Sequence, residues 1–263
     1  MIMAVNLSVS ASGMQTQSWR IDALANDIAN VNTTGFKAQL PVSSTTTPGL
    51  AYPAGLAVGP GVPPDVLAGG GAAPLAILQD MAEGAASPTG RPLDLYIAGN
   101  GLFAVQAPGG GGPVYTRDGR FSLNGAGTLV DGAGRALLDV NGQPIRLPQG
   151  VTGIEVSPQG EVSAVLGGAR TQIGQIGLTL VAEPQGLQGW GTGVWVATPA
   201  TGKLTVLPPG KGQAGTLRSG MLEASNASLA TLLPDLLAAQ QSYALNARAL
   251  DVSLQMWSLD NQL

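Results

Sequence analysis

Apolar residues near the start of the chain recur at helical spacing. Leu7, Met14, Ile21 and Ile28 lie seven apart, and Leu24 and Val31 occupy the second apolar position of the same heptad. Ser10 and Gln17 fill the other inward slots, so the first half of the stripe is weak. The pattern predicts an amphipathic helix ending after Val31. There Asn-Thr-Thr-Gly interrupts it, with Gly35 as a left-handed exit and Phe36 as an anchor for the departing chain. The last forty residues repeat the arrangement. Leu222, Leu229, Leu236, Tyr243, Leu250 and Trp257 are each one heptad apart, with Ser225, Leu232, Ala239, Asn246, Ser253 and Asp260 as companions. An inward Asn such as Asn246 sets register and partner number at some cost in stability. Pro234 lacks a backbone N–H, so the regular helix is expected to begin near it, with Asp235 in the first turn, or to kink there.

Each stripe is too narrow to bury a core alone, and the two are best satisfied by packing on each other. Both run to the chain ends without a globular cap, so further copies can add alongside them. That is the signature of an assembling subunit, with a closed monomeric hairpin as the alternative.

Between Thr47 and Pro74, 13 of 28 residues are Gly or Pro and no periodicity is visible, which reads as a loop or extended arm. From Leu93 onward, short alternating or apolar runs (LDLYIA, LFAVQA, PVYTR, GTLVD, EVSAVL, QIGLTLVAE, GVWVAT) are separated by turn residues. Asp118-Gly119, Asn124-Gly125, Asp131-Gly132 and Asn141-Gly142 can each supply the positive φ of a tight hairpin turn. The expected class is therefore α+β: N- and C-terminal helices paired in a coiled-coil-like manner, with a central all-β antiparallel domain. The expected boundaries are an N-terminal axial helix at 1–36, a Gly/Pro-rich arm at 37–90, the β-domain at 91–203, a linker at 204–224 and a C-terminal helix at 225–263.

Composition narrows the function. With 263 residues and 44% hydrophobic content the chain can bury a core, while 39 glycines, 19 prolines and only 11% charged residues favour turns and short strands over a helical bundle. The net charge of -4, with three lysines (Lys37, Lys203, Lys211), leaves no basic patch for nucleic acid or anionic lipid. With no Cys and no His, the usual zinc ligands, thiol nucleophiles and Ser-His-Asp arrangements are excluded, and no cofactor is expected. The first twenty residues lack the layout of a conventional cleavable signal peptide, and no segment approaches the roughly 20 apolar residues of a membrane span.

The acidic residues of the β-region (Asp94, Asp118, Asp131, Asp139, Glu155, Glu161) offer material for a carboxylate pair. Three of them stand at or beside Gly turns, where Asp is favoured for local backbone hydrogen bonds. Asp139-Val-Asn-Gly-Gln lacks the downstream acid of a calcium loop, and Gly109–Gly112 lacks the Lys-Ser/Thr of a phosphate loop.

Three stretches together resemble the bacterial flagellar axial proteins, the rod, hook and hook-associated subunits. LSVSASGM…IDALANDIANVNTTGFKAQ (7–39) is similar to their N-terminal signature. RPLDLYIAGNGLFAVQAPGG followed by YTRDGRFSLNGAGTLVDGAGRALL looks like the β-domain motif of rod and hook proteins. GMLEASNASLATLLPDLLAAQQSYALNARAL is similar to their C-terminal region, with Ser225, Asn226, Gln240, Tyr243 and Asn246 at the motif positions. GLAVGPGVPP (55–64) and EPQGLQGWGTGVW (183–195) look most like the distal-rod branch; the AQLPVSSTTTPGLAYP that follows Lys37 departs from it, and GRPLDL also suits the proximal branch.

The resemblance implies a basal-body rod protein: a structural, non-enzymatic subunit exported by the flagellar apparatus that polymerises into a helical tube supporting motility. It implies self-association, contact with other rod and hook subunits and with the export apparatus, and ring proteins around the tube. It implies no nucleic acid and no membrane insertion. The assembly interface is expected at Leu7, Met14, Ile21, Leu24, Ile28, Val31, Leu229, Leu232, Leu236, Tyr243, Asn246, Leu250 and Trp257, with Gly35 and Phe36 as hinge. The rival from another class is a secreted cell-wall-acting β-protein, which needs a paired-carboxylate site such as Asp94 with Asp118.

Overall fold

The computed structural model describes residues 2–45, 49–50, 67–68, 71–107, 111–151, 153–167, 169–191 and 193–260. Positions 51–66, which hold the GLAVGPGVPP stretch, and the first half of the glycine run at 109–112 lie outside them. The chain divides into two units: 1–29 with 39–78 and 228–263, and 30–38 with 79–227.

The first unit holds the two terminal helices, α1 (Ile2–Ala29) and α2 (Leu229–Asp260), packed on each other as the paired stripes require. It also holds a two-stranded ribbon of Gln39–Thr45 with Ala72–Gln79, extended by Gly49–Leu50 paired with Leu67–Ala68. The ribbon lies against α1: the Thr16 hydroxyl donates to Ser12 O (2.8 Å) and Ala72 O (3.1 Å), and Ala72 N donates to the Ser12 hydroxyl (3.3 Å). Among the described residues no helix is long and apolar enough to cross a membrane.

The second unit is antiparallel β. Its six-stranded sheet runs in the order 188–191, 194–196, 113–116, 102–106, 178–181, 204–207. The central strand Leu102–Gln106 reads as an apolar run because both faces are covered. Phe103 and Val105, both at 0% exposure, enter the main core with Phe121, Leu137, Ile176 and Leu178, while Leu102 and Ala104 face a second cluster with Tyr115, Leu187 and Trp195. Phe103 and Phe121 meet edge to face at 5.2 Å. A three-stranded sheet (Gly153–Val156, Glu161–Leu166, Ala169–Gln175) and short pairs of 95–98 with 216–219, 86–88 with 221–223 and 122–123 with 129–130 complete the unit.

Several expectations need correction. Residues 204–224 are not a linker: Leu204–Leu207, Thr216–Ser219 and Met221–Glu223 are all paired strands. Leu222 therefore belongs to a buried strand and not to the helical heptad. The arm is not unstructured at its ends, since 39–45, 72–79 and 86–88 pair with partners distant in sequence that a local reading does not reveal. α2 starts at Leu229, five residues before Pro234, where Ser228 O accepts from the amides of Thr231 (3.1 Å) and Leu232 (2.9 Å). Pro234 sits inside the helix and Asp235 in its second turn. Ala230 and Pro234 are both exposed, so the carbonyl that loses its donor stands on the solvent side. α1 ends at Ala29, two residues short of Val31.

The turns also differ in where the positive φ falls. Asn124, Asp131 and Asp139 each accept, on Oδ1, the amides two and four residues on, and each residue's carbonyl accepts the amide three residues on. In the first two turns the left-handed residue is Gly127 or Gly134 and not Gly125 or Gly132, while at Asn141-Gly142 it is Gly142 itself, as the dipeptide predicts.

Candidate functional site

Two places gather the predicted residues: the helix pair and the turn at the exit of α1. On α1, Leu24 is buried, while Leu7, Met14, Ile21 and Ile28 are half-buried, as is Val31 just beyond its end. On α2 the predicted stripe splits. Leu232 and Ala239 are buried and Leu236, Asn246 and Leu250 half-buried, but Leu229, Tyr243 and Trp257 are exposed. The side of α2 covered in this unit is thus the one carrying Leu232, Leu236, Ala239, Asn246 and Leu250. Asn246 sits over Gly13 of α1, where a Cβ would come within 2.9 Å of its carboxamide nitrogen. Asn246 therefore places an inward polar side chain against a glycine.

The exit of α1 is built into the β-unit. Gly35 has φ 66, and its amide donates to Glu223 O at 2.8 Å. A Cβ there would lie 2.5 Å from the backbone of Arg117, so both conformation and space demand glycine. Phe36 is 5% exposed and its carbonyl accepts from Asn226 N. Gly35 and Phe36 are therefore anchored residues.

Lys37 follows, fully buried. Its ammonium donates to Glu223 Oε1 (2.5 Å) and Ala82 O (2.6 Å). Glu223 is 1% exposed and also accepts from Gly84 N (2.9 Å) and from Arg117 Nη1 (3.0 Å). Arg117 spends its remaining bonds on Ile97 O and Gly99 O. One carboxylate thus faces two buried cations and holds four chain segments. Burial pushes the Lys37 ammonium below the usual lysine range, and the Glu223 charge opposes that shift. Nearby, Glu83 accepts from the Tyr96 hydroxyl, and burial with that bond raises the phenol to about 12.

Successive amides then go to different partners. Ala38 N donates to Asn226 Oδ1 (2.7 Å), and Asn226 Nδ2 donates to Asp80 O (2.8 Å) and Ala82 O (3.3 Å). Gln39 N donates to both oxygens of Asp27 (2.9 and 3.1 Å). Asp27 is 1% exposed, and burial raises its pKa to about 6 against the opposing pull of the Gln39 bond.

Asp118 and Asp131 are tied up locally. Asp118 accepts from the Thr34 hydroxyl and from the amide and guanidinium of Arg120, and this raises the Arg120 pKa. Asp131 pairs with Arg135 at 2.7 Å, and buried Asp94 has Arg91 at 3.8 Å. Among the described residues no three of His, Cys, Asp and Glu gather to hold a metal. A cavity of about 220 Å³ beside Arg117 is lined by Met81, Leu102, Thr179 and Leu187.

Lys37, Arg117 and Glu223 were missed by periodicity because a lone charge in a turn carries no repeat. The available signal was scarcity: in a chain with few charges, a lysine directly after the helix-exit aromatic is conspicuous.

Residues 7–37 match the family described as flagella basal body rod protein, residues 96–164 the flagellar hook protein FlgE/F/G D1 domain, and residues 218–263 the flagellar basal body rod FlgEFG protein C-terminal region. The chain is similar to the flagellar basal-body rod protein FlgG of Bacillus subtilis (strain 168), 34% identical over 92% of both chains, and to that of Caulobacter vibrioides, 33% identical over 98% of both. It is also 32% identical to the flagellar basal-body rod protein FlgF of Caulobacter vibrioides, over 95% of this chain and 94% of the relative. The three matched segments contain most of α1 with its exit turn, the first part of the β-unit with Phe103, Val105 and Phe121 of its core, and α2.

Proposed function

The chain belongs to the flagellar basal-body rod protein family, and from that premise we propose that it is a rod subunit of the distal type whose terminal helices carry polymerisation into a helical tube. The observation that supports this best is the paired terminal helices, whose apolar residues are only partly used within one chain: Leu229, Leu233, Leu237, Leu245, Met256 and Trp257 of α2 are all at least 43% exposed. Apolar side chains left bare along a long helix mark an interaction surface. The subunit has a structural and not a catalytic role. Its partners are further copies of itself, neighbouring rod and hook subunits, the flagellar export apparatus that passes it without a cleavable signal, and rings around the rod in the periplasm. The residues named for assembly from the sequence act there, with Gly35 and Phe36 fixing the turn at which the chain leaves α1.

The test is Leu24→Asp or Leu250→Asp in the cell. Either replacement is expected to abolish motility and incorporation into basal bodies while the β-unit stays folded; normal motility refutes the reading. The relative named FlgF favours a proximal position as the second reading, and labelling the subunit in purified basal bodies separates the two. For the cell-wall-acting alternative, Asp94→Ala and Asp118→Ala are compared with the parent chain in a peptidoglycan-release assay, with no release expected from any of the three.

A further inference from the structure

The covered side of α2 faces α1, but the helix carries a second apolar line. Leu245, Ala249, Val252, Met256 and Leu259 follow one another at spacings of four and three, and all are exposed, the four large ones at 52–64%. No charge interrupts this line, and Arg248 flanks it. At 1.5 Å per residue it runs for about 21 Å. α1 also has an exposed line at heptad spacing: Ala11, Gln15, Ser18, Asp22, Ala25 and Ala29. Its residues are mostly small, and its one charge is acidic.

We infer that the outer line of α2 on one copy packs into the outer line of α1 on the next, large side chains entering the gaps left by small ones. This rests on the assembly reading above and assigns its faces. Three features select a second copy as occupant. Large and small residues are complementary across the two lines, as knobs into holes require. Both lines keep the alternating three-and-four spacing of a two-helix seam. The only charge in the α1 line, Asp22, is opposite in sign to Arg248, which borders the α2 line. Because the two lines lie on different helices, each copy offers one donor and one acceptor face, and the contact repeats head-to-tail from copy to copy. The inner stripe, with Asn246 over Gly13, sets the pairing within a chain, and the outer lines set the pairing between chains.

The chain has no cysteine, which makes disulfide mapping clean. Val252→Cys is combined in one chain with Ala11→Cys, Ser18→Cys or Ala25→Cys, expressed in the motile cell, and basal bodies are isolated and mildly oxidised. At least one combination is expected to give a ladder of dimers, trimers and higher multimers on non-reducing gels. Val252→Cys alone, and Val252→Cys with Arg20→Cys, which stands off the α1 line, are expected to stay monomeric. Basal bodies that contain the doubly substituted chains but yield no ladder overturn the face assignment while leaving assembly intact. Dimers from Val252→Cys alone overturn it in favour of α2 meeting α2. If the parent chain is missing from basal bodies, the assembly reading falls and the seam falls with it.

Discussion

Replacing Glu223 removes the only carboxylate between two buried cations. In the folded chain Glu223 accepts three hydrogen bonds, from Lys37, Arg117 and Gly84, at 2.5–3.0 Å. Glu223→Gln keeps the shape but leaves Lys37 and Arg117, at 0% and 6% side-chain exposure, without a directly bonded counter-charge, Lys37 keeping only the weaker field of Asp80. Breaking a buried pair from one side costs about 3–5 kcal/mol. Lys37→Met is the milder change, because Arg117 and Glu223 remain as a balanced pair. Its main cost is the donor lost to Ala82 O, about 1–3 kcal/mol for a buried acceptor left unsatisfied. The ordering follows from the charge count: Glu223→Gln should exceed Lys37→Met. The assay is thermal and urea unfolding of the full chain, followed by tryptophan fluorescence, in which Trp195, buried in the second cluster, reports on the β-unit. At about 2–4 °C per kcal/mol for a domain of this size, Glu223→Gln should lower the β-unit transition by about 6–20 °C. A Glu223→Gln melt within 2 °C of the parent, or a Lys37→Met loss larger than that of Glu223→Gln, refutes the reasoning.

Other substitutions and conditions give equally definite expectations. Gly35→Ala should destabilise by about 2–4 kcal/mol, since it meets both a left-handed backbone and a 2.5 Å approach to Arg117, whereas Gly125→Ala meets open space and should leave the melt unchanged. Gly13→Leu should split the helix pair, seen as lost helical circular dichroism with the β-unit transition intact, while Gly13→Ala needs only a small shift of Asn246 and should be relieved by Asn246→Ala. Asp27 binds its proton more tightly folded than unfolded, so its contribution is full below about pH 4 and is lost as pH rises through about 6. The urea midpoint of the helical signal should therefore fall between pH 4 and 6.5, and Asp27→Asn should flatten that slope; an unchanged slope refutes the assignment to Asp27.

The parts of the fold legible in the sequence are those encoded locally. A heptad in α1 and the Asn-Thr-Thr-Gly stop identify the helix and its end to within two residues, because spacing and a left-handed glycine act over a few positions. The two-sided burial of Leu102–Gln106 is likewise visible as an uninterrupted apolar run. What escaped depends on distant partners. Residues 204–224 look like a Gly/Pro-rich linker, yet each of their strands has a mate elsewhere: 178–181 for 204–207, and 95–98 and 86–88 for the other two. The heptad through Leu229, Tyr243 and Trp257 is real, but periodicity cannot tell a face turned to the same chain from a face left bare. Lys37 stands out by the scarcity of charge around it, but its pairing is illegible for a related reason, since nothing local to Lys37 announces Glu223.

That last pair has a consequence in time. Lys37 and Glu223 are separated by 186 positions, and Asn226, which ties down Ala38, comes later still. Contacts so far apart require the intervening loop to be closed first. On a ribosome the turn at residues 35–38 is made early but has no carboxylate to receive its ammonium until nearly the whole chain has been synthesised. The β-unit therefore cannot lock until the segment just ahead of α2 arrives, and a nascent chain truncated before Glu223 should remain open and be cut by proteases faster than the full-length chain.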